Sequence, residues 1–190
     1  MQEVQKHEIE KNEVERYLDS GSQTQITPEI KEIASKLHGT VLERVQQILD
    51  MGPSLVTYKE HDEREFRKRT GAQIIGDKYI TGCTDAALAF IVLARASNIP
   101  TKYVETIDKK FLREGGEYFS GHVYAQVYDD LKDQWVLINP MEREINVSFP
   151  ESRVLYKEGL DSWDIGIKDF EILEKLFNEF REQWLLQNTE

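Results

Sequence analysis

Residues 83–96, Cys-Thr-Asp-Ala-Ala-Leu-Ala-Phe-Ile-Val-Leu-Ala-Arg-Ala, constrain the fold more than any other stretch. They favour a helix, and that helix is apolar on nearly every face, so it has no side to offer to water. It must be the buried central helix of a domain. Gly82 turns the chain into it, and Ser97-Asn98-Ile-Pro100 stops it. The apolar run from Ala86 to Ala94 covers only about half a membrane span, which argues for a soluble core.

The rest of the chain supplies layers to enclose that helix. Thr27-Pro28-Glu29 starts a helix well, with Thr as N-cap and Pro at the first helical position. A second helix carries Val41, Leu42, Val45, Ile48 and Leu49 on one face and ends at Met51-Gly52-Pro53. Residues 54–60 read as a short strand or extended link, 61–70 as a charged helix with a solvated face, and 70–82 as a loop. After Pro100 the chain changes character. Thr101–Ile107, Val123–Tyr128, Gln134–Ile138 and Arg143–Phe149 are rich in β-branched and aromatic residues and read as strands. Phe170, Leu173, Phe177, Phe180 and Trp184 then recur at helical spacing. Helices, an antiparallel sheet and a closing helix make an α+β pattern. Residues 1–25 read as a charged helical arm and linker, 26–190 as one domain with its motif core at 70–150 and its closing helix at 168–187.

Cys83, the only cysteine, heads the central helix. Unpaired N–H groups and the positive end of the helix dipole surround a residue there. That setting is expected to lower the thiol pKa. His122 opens the strand Gly121-His122-Val-Tyr-Ala-Gln-Val-Tyr128, and Asn139 closes Trp135-Val-Leu-Ile-Asn139-Pro140. A hairpin symmetric about the Asp130–Leu131 bond pairs residues whose numbers sum to 261, as His122 and Asn139 do. Paired residues share a face with Cβ atoms about 5 Å apart, within hydrogen-bond reach. If the helix start docks on that face, a thiol, an imidazole and a group to orient it meet, the parts of a nucleophilic site. Backbone N–H groups at Cys83 and Thr84 would be the oxyanion donors.

Three motifs carry a family resemblance over roughly residues 28–150. Gly82-Cys83-Thr-Asp85-Ala-Ala-Leu with Leu93-Ala-Arg95-Ala-Ser-Asn-Ile-Pro100, then His122-Val-Tyr-Ala-Gln-Val-Tyr128, then Trp135-Val-Leu-Ile-Asn139-Pro140 resemble the transglutaminase-like superfamily. That resemblance implies a papain-like core with the cysteine helix packed on an antiparallel sheet. It also implies a thioester on Cys83 and transfer of the acyl group to an amine or to water, as in crosslinkers, peptidases and deamidases. Cys83, His122 and Asn139 would be catalytic, with Gln73 or Tyr79 as an upstream oxyanion side chain and Trp135 as a wall of the site. The chain departs from the family pattern at Asn139, where an aspartate is usual, and at Tyr124, where a tryptophan is. A silent fold kept as a binding or interaction module is the second reading.

A formal charge of −11 leaves no basic field to displace counterions from nucleic acid or to meet an anionic membrane. The expected partner is a peptide or protein with a glutamine-like amide. The first ten residues hold no signal-peptide core, and one cysteine suits a reducing compartment, so a cytoplasmic location is expected. Neither a His-Glu-x-x-His motif nor a second cysteine points to a metal, and no cofactor is expected. Asp85 reads as a dipole partner, Arg95 as a structural ion-pair residue, and His7, His38 and His61 as surface residues. The arm and the closing helix both offer faces for oligomerisation.

Overall fold

The computed structural model describes residues 12–60, 63–116 and 120–188. Residues 1–11 of the expected arm, His7 among them, His61 and residues 117–119 lie outside the described residues. The helices are α1 (Pro28–Ala34), α2 (Val41–Leu55), α3 (Gly71–Asp77), α4 (Cys83–Ala96), α5 (Lys109–Glu114) and α6 (Phe170–Asn188). The strands are β1 (Thr57–Tyr58), β2 (Tyr79–Ile80), β3 (Thr101–Asp108), β4 (Gly121–Asp129), β5 (Gln134–Asn139), β6 (Glu144–Ile145) and β7 (Arg153–Gly159). Strands β3 to β7 form one antiparallel sheet in the order β6-β5-β4-β3-β7. This is the α+β arrangement expected from the sequence, a buried central helix set against an antiparallel sheet.

Helix α4 is central. Every residue from Thr84 to Arg95 is buried. Its Leu88, Ile91 and Val92 share one core with Val45 and Ile48 of α2, Ile74 of α3, Tyr103 and Ile107 of β3, Ala125 and Val127 of β4, and Phe177 of α6. The sheet therefore has two unlike faces. Tyr103, Glu105, Ile107, Val123, Ala125 and Val127 turn toward α4. Val104, Tyr124 and Leu137 form a small separate cluster on the other side.

Several local expectations are corrected. Helix α2 runs past Gly52-Pro53 to Leu55. The 70–82 stretch holds a helix, α3, closed at its start by a capping box between Thr70 and Gln73. Residues 63–68 form turns rather than a helix. Their charges are not all solvated: Arg67 is 4% exposed and Arg69 8%. Residues 20–25 are no loose linker, because Gln23 is fully buried, donating from its side chain to the Arg67 and Arg69 carbonyls and from its backbone to Asp161. Of the strand expected at 143–149, only Glu144–Ile145 pairs, and β7 was not anticipated.

Two buried arginines explain how a charged segment enters the core. Arg67 makes a bidentate pair with Glu105, at 2.7 and 3.0 Å, and donates to Tyr103 Oη and Ser162 Oγ. Tyr103 donates to the same carboxylate. Arg69 pairs with Asp85, which also accepts from the backbone N–H and hydroxyl of Thr81. Asp85 thus ties the loop before α4 to the helix, more than compensating a dipole. Among the described residues Arg95 forms no ion pair; it donates to the carbonyls of Thr101 and Leu160 and to Thr24 Oγ1.

Candidate active site

Pairing between β4 and β5 runs from Asp129↔Gln134 to Ala125↔Ile138. Paired numbers sum to 263, not 261, because the connection is the four-residue segment Asp130–Asp133. A shift of two keeps every side chain on its face, so the expected contact survives as a diagonal one. His122 Nε2 and Asn139 Oδ1 lie 3.1 Å apart. An amide oxygen only accepts, so Nε2 carries the proton and Nδ1 is left as the basic nitrogen.

Past Ala125, β4 has no β5 partner, and Cys83 meets the chain in this unpaired stretch. The backbone at Val123, the residue after His122, and at Thr84, the second residue of α4, lies close enough to the sulfur to favour its thiolate. Helix α4 packs on the face opposite His122 and Asn139, contrary to the expectation of docking on theirs. Its first residue lies beside the backbone of Val123, the residue that follows His122. Among the described residues, the imidazole's hydrogen-bond partner is Asn139.

The protonation states differ from a thiolate–imidazolium pair. Burial pushes the Cys83 thiol up, and the Glu105 carboxylate adds to it; Val123, Arg67 and Thr84 pull the other way and lose. Burial also holds His122 below the ordinary histidine value; Asn139 opposes this, Arg153 reinforces it, and Glu105 and Glu142 oppose it. Both shifts favour a neutral thiol beside a neutral imidazole. The helix-start setting alone suggested a lowered thiol pKa, and burial overrides it.

The other expected site residues are scattered. Gln73 is exposed and its side chain is spent on the α3 capping box. Tyr79 donates to Glu65, and its ring lies under the cations of Lys59 and Arg69. Trp135 sits across from Tyr128, six residues from His122 along β4 and so about 20 Å away at strand spacing. There it packs against Tyr17 and under Lys102. Thr84 is buried in the first turn of α4, where its backbone stays beside the sulfur. Tyr124, noted in the sequence only as a departure from the family pattern, packs its ring edge-on against His122 at 4.7 Å, and Arg153 was not singled out. Alternation along β4 was the signal available for Tyr124.

An apolar cleft of about 160 Å³ opens beside the cluster, lined by Leu49, Pro53, Ala86, Phe90 and Pro140 among others. Ala86 is one turn along α4 from Cys83, and Pro140 follows Asn139. Among the described residues, no group of three or more His, Cys, Asp or Glu side chains is placed to hold a metal ion, and no helix is long and apolar enough to cross a membrane.

A central helix headed by a thiol, set against an antiparallel sheet that supplies a histidine and its orienting amide, defines a papain-like fold. The chain belongs to the transglutaminase-like superfamily, whose family model matches residues 29–140. Among solved structures it is similar to a provisionally assigned cysteine protease from Cytophaga hutchinsonii, at 18% identity and a TM-score of 0.60, covering 82% of this chain and 50% of that one. It is also similar to Legionella pneumophila LapG, at 11% identity and a TM-score of 0.50, covering 82% and 99%. The chain thus spans half the length of the Cytophaga protein. No curated protein matches its sequence.

Proposed function

We propose that this chain is a thiol enzyme that acts on a peptide or glutamine-type amide through a thioester on Cys83. The observation that supports it most is the His122 Nε2–H···Oδ1 Asn139 contact, which leaves Nδ1 basic next to the backbone that holds the sulfur. His122 takes the thiol proton as Cys83 Sγ bonds to the amide carbon. The N–H groups at the head of α4 steady the oxyanion. Collapse of the adduct breaks the C–N bond, and the imidazolium returns its proton to the leaving amine or ammonia. Water, deprotonated by His122, then releases the acid and the free thiol. Hydrolysis or deamidation is favoured over crosslinking, with the apolar cleft beside Ala86 and Pro140 taking a neighbouring part of the substrate. Peptide or protein substrates and a reducing, cytoplasmic setting belong to the same reading.

The raised thiol pKa favours a second reading, a silent fold serving as a binding module. Incubating a peptide mixture with the protein and with Cys83→Ala separates the two. The measured products are ammonia, new N-termini and incorporated labelled amine. Any of the three appearing only with Cys83 supports the enzyme; none appearing with folded protein overturns it and leaves the binding module.

A further inference from the structure

Among the described residues, Arg153 on the His122 face has no ion-pair partner. Arg153 opens β7, and its placement comes from a bulge. Between β3 and β7, Tyr103↔Gly159 through Glu105↔Lys157 sum to 262, but Thr106↔Leu155 through Asp108↔Arg153 sum to 261. The extra residue, Tyr156, packs toward α6 against Phe177 and Phe180. Without that bulge, Arg153 would fall on the α4 face. With it, Arg153 and Leu155 join Thr106, and through Thr106↔His122 they join the imidazole. A bulge that re-aims a side chain beside a reactive group is a recurrent device.

The guanidinium makes no hydrogen bond or ion pair among the described residues, and its Nη1 is buried without a partner. A buried, unpaired donor on a cation is costly unless something fills it. The field across the face is lopsided. Glu144 lies across from Asn139 at the β6 edge, and Glu142 is nearby, while Arg153 stands at the β7 edge. His122 and Tyr124 lie between them, and both feel the Arg153 charge.

Resting on the reading of Cys83 as the nucleophile, we propose that Arg153 is a specificity residue that binds a carboxylate of the substrate on the β7 side of the reacting amide. An Arg fork matches a carboxylate in two hydrogen bonds, and the partly buried setting strengthens the pair. The anion comes from an acidic side chain or from a chain terminus. The Glu142 and Glu144 edge repels it, which fixes the direction in which the substrate lies.

The test measures Cys83 alkylation by three reagents of one shape: iodoacetyl-glutamine amide, neutral; iodoacetyl-glutamate amide, with a side-chain carboxylate; and iodoacetyl-glutamine, with a terminal one. At least one anionic reagent is expected to react about tenfold faster than the neutral one, a gap that Arg153→Gln abolishes and Arg153→Lys partly keeps. The anionic reagent that holds the advantage names the source. Equal rates for all three, or an advantage that Arg153→Gln leaves intact, overturn the assignment. His122→Ala is run alongside: if it slows all three reagents while the Arg153 ratio is flat, the nucleophile stands and Arg153 falls. If it slows none, the nucleophile reading falls instead, whatever Arg153 does to the ratio.

Discussion

The two faces of the central sheet carry opposite designs on the same strands. Toward α4, the buried carboxylate is paired: Glu105 accepts from Arg67 and Tyr103, and Arg67 also donates to Ser162, with only its Nε left unpartnered among the described residues. Away from α4 lie a half-buried His122, an Arg153 whose Nη1 has no partner among the described residues, and the exposed apolar Leu155 and Phe149. Strand β4 serves both at once, giving Val123, Ala125 and Val127 to the core and His122 and Tyr124 to the site. The paired face serves as scaffold, and the other face carries the proposed site. Cys83 starts the scaffold helix and lies beside the backbone of Val123, one residue from His122.

The largest effect comes from breaking the saturated face. Glu105→Ala strands a buried guanidinium and is expected to cost about 3–5 kcal/mol in chemical denaturation. Arg153→Gln, on the open face, is expected to stay within about 0.5 kcal/mol in the same experiment. Comparable losses for the two would erase the contrast. His122→Ala reverses the ranking: stability changes little, while Cys83-dependent turnover falls at least ~10²-fold.

Asn139→Asp sharpens the comparison by adding one charge to the open face. His122 is held below its ordinary value, so the neutral base persists as pH falls toward and below 6.5. A carboxylate at 139 favours the imidazolium, raises that pKa, and moves the acid limb of the pH–rate profile upward. An NMR titration of the His122 ring reads the shift directly; an unmoved or lowered value contradicts the assigned contact. The smallest effect belongs to Trp135→Ala, at the far end of the hairpin, which is expected to leave the Cys83 alkylation rate unchanged.

How much of this could be read in advance follows from the range of each signal. The α4 helix was legible because an all-apolar helix admits one environment. His122 and Asn139 were legible because strand parity survives a register error of two; the four-residue turn moved the pairing without changing the face. The buried pairs were not. Arg67 sits in a run of charges whose local pattern reads as solvated, and its partner Glu105 is 38 residues away. Strand β7 was missed because Arg153-Val-Leu-Tyr-Lys-Glu-Gly159 is an edge strand with polar residues on both faces and a bulge that breaks its alternation. The upward shift of the Cys83 thiol was missed for a related reason, since burial and Glu105 act across the fold and the helix dipole is local.

The central claim is that His122 draws the proton from Cys83, and the iodoacetamide alkylation rate of Cys83 against pH tests it most directly. In the native chain, the rate near neutral pH is predicted to exceed that of His122→Ala. The two curves are predicted to converge once pH passes the raised thiol pKa and the sulfur ionises unaided. Superimposable curves across the whole range would contradict the account.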